Sequence, residues 1–253
     1  PPPGEFTPKG WQAEAAGGTA DFFSRKTFEE LGAEPELVQA LGACGADKPS
    51  HVQAIGFGSI LRGDDVALAD QTGSGKTLAY LGPLVQRLRQ TEREQGRTPG
   101  GHVRALVLVP TSELAQQVLS VAKALAAGGA PFRSTIITGE HKWATQRKCA
   151  DKGMELIVAT PGRLKSHLEA EQGPSFALDS AITPVLDEAD LLFEVRAAGG
   201  VTAVTEGESD AALEVRRFAA RPPYGAREAA GQRPLTLSRV YMSLSPPCAR
   251  SAG

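Results

Sequence analysis

The chain has 253 residues, 41% of them apolar, which is enough for a real core in one large domain or two small ones. Charged residues make up 22% and the formal net charge is −2, excluding a histone-like basic protein and an acidic tail protein while leaving room for nucleic-acid binding through a local basic patch. The 28 glycines and 18 prolines assign much of the chain to loops and tails, so the ordered core is smaller than the length suggests.

In chain order, residues 1–26 lack sustained periodicity and read as a mostly disordered lead-in. Glu36 to Cys44 is helix-like, with Leu37, Val38, Leu41 and Cys44 on one face. Val66 to Ala69 is a short apolar strand ending in a Gly-rich turn. A helix follows, carrying Leu78, Leu81, Leu84, Val85 and Leu88 at helical spacing. Arg104 to Val109 is a second strand. Leu114, Val118, Val121 and Leu125 line one face of the next helix, which stops at Gly128-Gly129. Ser134–Ile137, Leu156–Ala159, Val185–Leu186 and Arg239–Met242 are four further strands. Residues 194–233 break the rhythm and read as an irregular insertion around one helix near Asp210 to Ala219. Strands alternating with helices predict an α/β fold, a parallel sheet covered on both faces.

The longest apolar runs are as short as Ala105–Val109, against the roughly 20 residues of a membrane helix, so no membrane span is expected. Pro1-Pro2-Pro3-Gly4 has neither the charged nor the apolar region of a signal peptide, and the missing Met suggests a fragment or processed chain. Cys44, Cys149 and Cys248 lie far apart without a CxxC, which fits reduced thiols inside a cell and not a disulfide framework or a zinc site. Nucleus, cytosol and organelle all stay open.

Two segments carry chemistry. Thr72-Gly73-Ser74-Gly75-Lys76-Thr77 follows a strand and opens a helix, the context a phosphate-binding loop requires. Small residues let backbone amides approach a polyphosphate, and the helix N-terminus adds favourable partial charge. Lys76 suits the β- and γ-phosphates and Thr77 a Mg²⁺ ion. The plainer alternative is an ordinary strand-to-helix turn. Asp70 stands where the full pattern has a small residue; it either repels phosphate or turns away to cap a backbone amide. The second segment, Val185-Leu186-Asp187-Glu188-Ala189-Asp190, is an apolar strand ending in carboxylates. Asp187 suits the metal and Glu188 the attacking water; alternatively the acids open a solvated helix. Pro184 requires this strand to start near it and be short.

Asp187 to Asp190 spells DEAD, and the chain from about Phe28 to Ser245 resembles the first, ATP-binding domain of DEAD-box RNA helicases. Phe28 resembles the family's upstream aromatic. Gly45 to Gln53 resembles its adenine-reading segment, with Gln53 as the reader and Ala46 replacing an aromatic. Pro110-Thr111-Ser112-Glu113-Leu114-Ala115 resembles PTRELA, Ser112 replacing Arg. Thr138-Gly139-Glu140 sits where the family has a glycine pair, and Thr160-Pro161-Gly162-Arg163-Leu164 matches TPGRL. Ser243-Leu244-Ser245 falls at the family's SAT motif, which couples ATP state to RNA.

The resemblance implies a RecA-like P-loop fold with ATP and Mg²⁺ as cofactors. It implies a helicase ATP-binding domain over residues 27–247, a tail at 248–253, and a second helicase domain beyond this chain that supplies arginine fingers. RNA is the implied partner, gripped along its backbone by Pro110, Thr111, Gly139, Thr160, Pro161, Gly162 and Arg163, with no membrane and a monomeric state. Ser243 and Ser245 would couple. The rival readings are a degenerate, non-catalytic ATP-gated RNA-binding module and a different P-loop ATPase.

Overall fold

Thirteen elements follow one another in the computed structural model, which describes residues 22–170, 175–176, 183–193 and 240–243. They are α1 (Pro35–Ala43), α2 (His51–Arg62), β1 (Val66–Ala69), α3 (Lys76–Gln95), β2 (Val103–Leu108), α4 (Ser112–Ala127) and β3 (Ser134–Ile137). Then come α5 (Trp143–Asp151), β4 (Met154–Ala159), α6 (Pro161–Leu168), β5 (Thr183–Leu186), α7 (Ala189–Phe193) and β6 (Val240–Ser243). Most of the expected lead-in, the expected insertion at 194–233 with its helix, Ser245 and the expected tail lie outside the described residues.

The six strands form one sheet in the order β1-β6-β5-β2-β4-β3, and every pairing is parallel. A parallel sheet needs helices on both faces, and its central strands are then buried on both. That explains why β4 is apolar at all but one position and buried throughout. Along it Leu156 and Val158 face a larger core shared with α1 to α4. Ile157 and Ala159 face a smaller one with α5, α6, α7 and Phe176.

Pro184 is the second residue of β5, opposite Leu106 of β2. Among the described residues the β6 ladder starts at Val185. Pro184 thus has a described strand neighbour on one side alone, which is where a residue without an N–H fits. Among the described residues no helix is long and apolar enough to cross a membrane.

Candidate functional site

Because all strands run the same way, every loop at a strand's carboxyl end opens on one edge of the sheet. The strand order divides that edge. The phosphate loop after β1 and Asp187-Glu188 after β5 flank β6, whose last residue is Ser243. Pro110-Thr111 after β2, Thr160 after β4 and Thr138-Gly139 after β3 occupy the other half.

On the first half, Gly73 and Gly75 take φ +81° and +88°, left-handed backbone that favours glycine. A Cβ on Gly73 would meet nothing within 4 Å, so the loop leaves open space there. Gly75 caps α3, and a Cβ on it would come within 2.6 Å of Gln53 Nε2. Lys76 Nζ donates to the carbonyls of Asp70 at 2.7 Å and Gln71 at 2.8 Å, which holds the cation over the loop. Asp70 does cap a backbone amide: its Oδ1 accepts from Gln71 N at 2.8 Å. The hydroxyl of Ser74 is buried with no partner among the described residues.

Gln53 is buried and links α2 to the loop. Its Nε2 donates to Gly75 O at 3.2 Å and its Oε1 accepts from Ser50 N at 2.9 Å. One amide hydrogen and one lone pair are left over. Phe28 is 4% exposed, in the core, with its ring 6.4 Å from that of Phe57. An apolar ring beside an apolar core buries itself there, and it anchors the segment ahead of α1.

Asp187 is 3% exposed. Its Oδ2 accepts from the Tyr80 hydroxyl at 2.8 Å and its Oδ1 from Glu188 N at 3.1 Å. Burial pushes its carboxyl up, while the Tyr80 and Glu188 bonds and the Lys76 charge pull it down. Tyr80 itself is fully buried, and burial together with the Asp187 charge drives its phenol well above the ordinary value. Glu188 takes φ +51°, among the described residues the only non-glycine with positive φ. Backbone held this way stores of order 1–3 kcal/mol and clusters at functional sites. Thr77 and Asp187 carry hard oxygen donors of the kind a divalent cation takes.

On the second half, Thr111 caps α4 by accepting from Leu114 N at 3.2 Å, so part of its hydroxyl is engaged within the fold. Thr160 and Pro161 occupy the N-cap and first position of α6. A Cβ on Gly139 or Gly162 would meet nothing within 4 Å; both are exposed and leave room for a ligand backbone. Arg163 departs from expectation. Its Nε donates to Gln146 Oε1 at 3.0 Å and its Nη2 to His141 O at 3.1 Å, with the guanidinium 4.8 Å from the Trp143 ring centroid. Acceptors and a π face on α5 and the loop before it draw it inward, so it braces this half of the edge instead of presenting a free cation. Ser243 ends β6, next to β1 and β5; Ser245 lies outside the described residues.

Sequence reasoning missed Tyr80, Gln146 and His167. The three-residue step from Thr77 to Tyr80 on one helix was the only available signal for the first.

The fold and site define a P-loop nucleotide-binding α/β domain. A family profile described as DEAD/DEAH box helicase matches residues 50–205, and the chain belongs to that family; its RecA-like architecture is the one observed. The chain is 42% identical over 173 residues to DEAD-box ATP-dependent RNA helicase 50 of Arabidopsis thaliana, covering 68% of this chain and 22% of that protein. It is 41% identical over 171 residues to DEAD-box ATP-dependent RNA helicase 10 of the same plant, covering 66% and 37%. It is 35% identical over 186 residues to the ATP-dependent DNA helicase DDX31 of Dictyostelium discoideum, covering 73% and 20%. The matched part thus spans about a fifth to somewhat over a third of these relatives' length.

Proposed function

We propose that this chain is the ATP-binding part of an ATP-dependent RNA helicase, coupling Mg-ATP hydrolysis to binding and local separation of RNA strands. The observation that carries the reading is the meeting of two sites 107 residues apart, where the phosphate-loop helix donates from Tyr80 to Asp187 at 2.8 Å. A phosphate loop alone binds nucleotide; a carboxylate pair fixed beside it suits hydrolysis.

The roles follow from chemistry. The amides of residues 73 to 77 cradle the phosphates, and Lys76 exchanges its carbonyl partners for the β- and γ-oxygens. Thr77 and Asp187 would hold Mg²⁺, which would screen charge on the phosphates. Glu188 orients the attacking water. The spare hydrogen and lone pair of Gln53 suit the N6 and N7 edge of adenine. Open glycines at 139 and 162 and the helix starts at Thr111 and Thr160 suit a sugar-phosphate backbone, gripped without reading bases. An RNA strand and a second helicase domain are the partners this activity requires. Intact Lys76, Thr77, Asp187 and Glu188 count against a degenerate module.

Calorimetric titration of ATP with Mg²⁺ tests the reading. Lys76→Ala removes the main counter-charge, and a charge-assisted bond of about 1.5–3 kcal/mol corresponds to a loss of roughly 10- to 150-fold. Equal affinity of wild type and variant would sink the idea.

A further inference from the structure

Tyr80 stands three residues beyond Thr77 on α3, with its ring in the larger core. Filling that space does not explain its hydroxyl. Phe would supply nearly the same volume, and a buried phenol loses hydration unless its oxygen is paired. Here it is paired, donating to Asp187 Oδ2 at 2.8 Å.

A phenol has one hydrogen, and Tyr80 directs it at the carboxylate. The same phenol holds one Asp187 oxygen while Glu188 N holds the other, which fixes the plane of the carboxylate.

We propose that Tyr80 is a positioning residue for the nucleotide's divalent cation: its hydroxyl presets the Asp187 carboxylate that would hold the ion. This rests on the reading that Asp187, with Thr77, holds Mg²⁺ beside the phosphates. Outer-sphere partners of this kind typically change metal affinity 10- to 100-fold when removed.

The test titrates ADP into wild type and Tyr80→Phe across a Mg²⁺ series and in EDTA. The Mg²⁺ concentration giving half the enhancement of ADP affinity rises about tenfold or more in the variant, while ADP affinity in EDTA stays within twofold. An unchanged Mg²⁺ midpoint overturns the proposal. So does an equal loss with and without Mg²⁺, which is the signature of a merely structural ring. Wild type that binds ADP with no Mg²⁺ dependence overturns the underlying metal reading, and the proposal with it.

Should Tyr80→Phe not fold, the protein can keep its phenol. Tyr224→Phe and Tyr241→Phe leave Tyr80 as the sole one of 3 tyrosines, labelled as 3-fluorotyrosine. Its fluorine resonance shifts when Mg²⁺ is added to the ADP-loaded protein. A resonance indifferent to Mg²⁺ overturns the proposal by that route.

Discussion

Gly75 holds φ +88° at the head of α3, with its carbonyl accepting from Gln53 at 3.2 Å. An alanine there takes a left-handed conformation costing roughly 1–2 kcal/mol. Its methyl would also stand 2.6 Å from Gln53 Nε2. The side chain can swing, but only by giving up its bond to the loop. Gly75→Ala should therefore lower the melting temperature by a few degrees and weaken ATP binding about tenfold or more, since it moves the amides that cradle phosphate. Gly73→Ala separates the two effects, because nothing lies within 4 Å of its added methyl; it should show the backbone cost without the collision. Calorimetry and thermal melts on both variants check this, and identical behaviour of the two would contradict it. At this scale the phosphate loop was legible because backbone geometry demands glycine at particular positions. Tyr80 was not, because its meaning lies in a partner 107 residues away.

Element α5 shows why other parts stayed hidden. Trp143–Asp151 is mostly polar, and it docks through a buried amide, Gln146, with only the small Ala150 and the partly buried Cys149 as its apolar contacts to the core. Gln146 Nε2 donates to Thr138 O at 2.7 Å and His141 O at 3.2 Å, while its Oε1 accepts from Arg163 and His167. This ties the loop after β3 to the start of α6, so two of the proposed RNA-gripping loops move as one. The strands were legible for the opposite reason: buried on both faces, they spell short apolar runs. The network has a consequence in pH. Since Gln146 offers His167 only an acceptor, His167 Nε2 carries the hydrogen and Nδ1 accepts from Ser175 Oγ at 2.8 Å. That is a neutral imidazole, stacked at 3.8 Å on Trp143. Burial, then the charges of Arg163 and Arg147, lower its pKa from 6.5 to about 4. The unfolded chain thus takes up the proton first. Stability from this group is complete above about pH 6.5, falls as pH drops toward 4, and changes no further below that. The whole effect is on the order of 3 kcal/mol. Melting temperatures of wild type and His167→Gln from pH 7 to 4 check it: the wild type should lose stability more steeply. Parallel curves would contradict the neutral, buried assignment.

At the scale of the molecule, one sheet edge carries the nucleotide half beside the half with open glycines, and adjacency alone does not make an engine. The proposed transition state spreads negative charge over the transferring phosphoryl group. Lys76 answers part of that charge from one side. Several arginines are engaged elsewhere: Arg89, Arg93, Arg97 and Arg133 in ion pairs with glutamates, Arg62 with Asp64, Arg87 and Arg104 with the Ile60 and Gly96 carbonyls, Arg163 with Gln146 and His141. An arginine finger typically contributes ~10³ to 10⁵ in rate. In the family this chain resembles, that finger belongs to a second helicase domain, and the matched segment covers only 22% of the Arabidopsis helicase 50. RNA stimulation likewise requires two domains to close on one strand. A polypeptide of residues 1–253 alone should therefore hydrolyse ATP at a slow basal rate that added RNA does not change. Supplying a second helicase domain in cis should raise that rate by orders of magnitude and restore dependence on RNA. Phosphate-release and duplex-release assays on the two forms make the comparison. ATP-dependent strand separation by residues 1–253 alone would refute the division of labour, and would mean that a second copy of this chain supplies the missing surface.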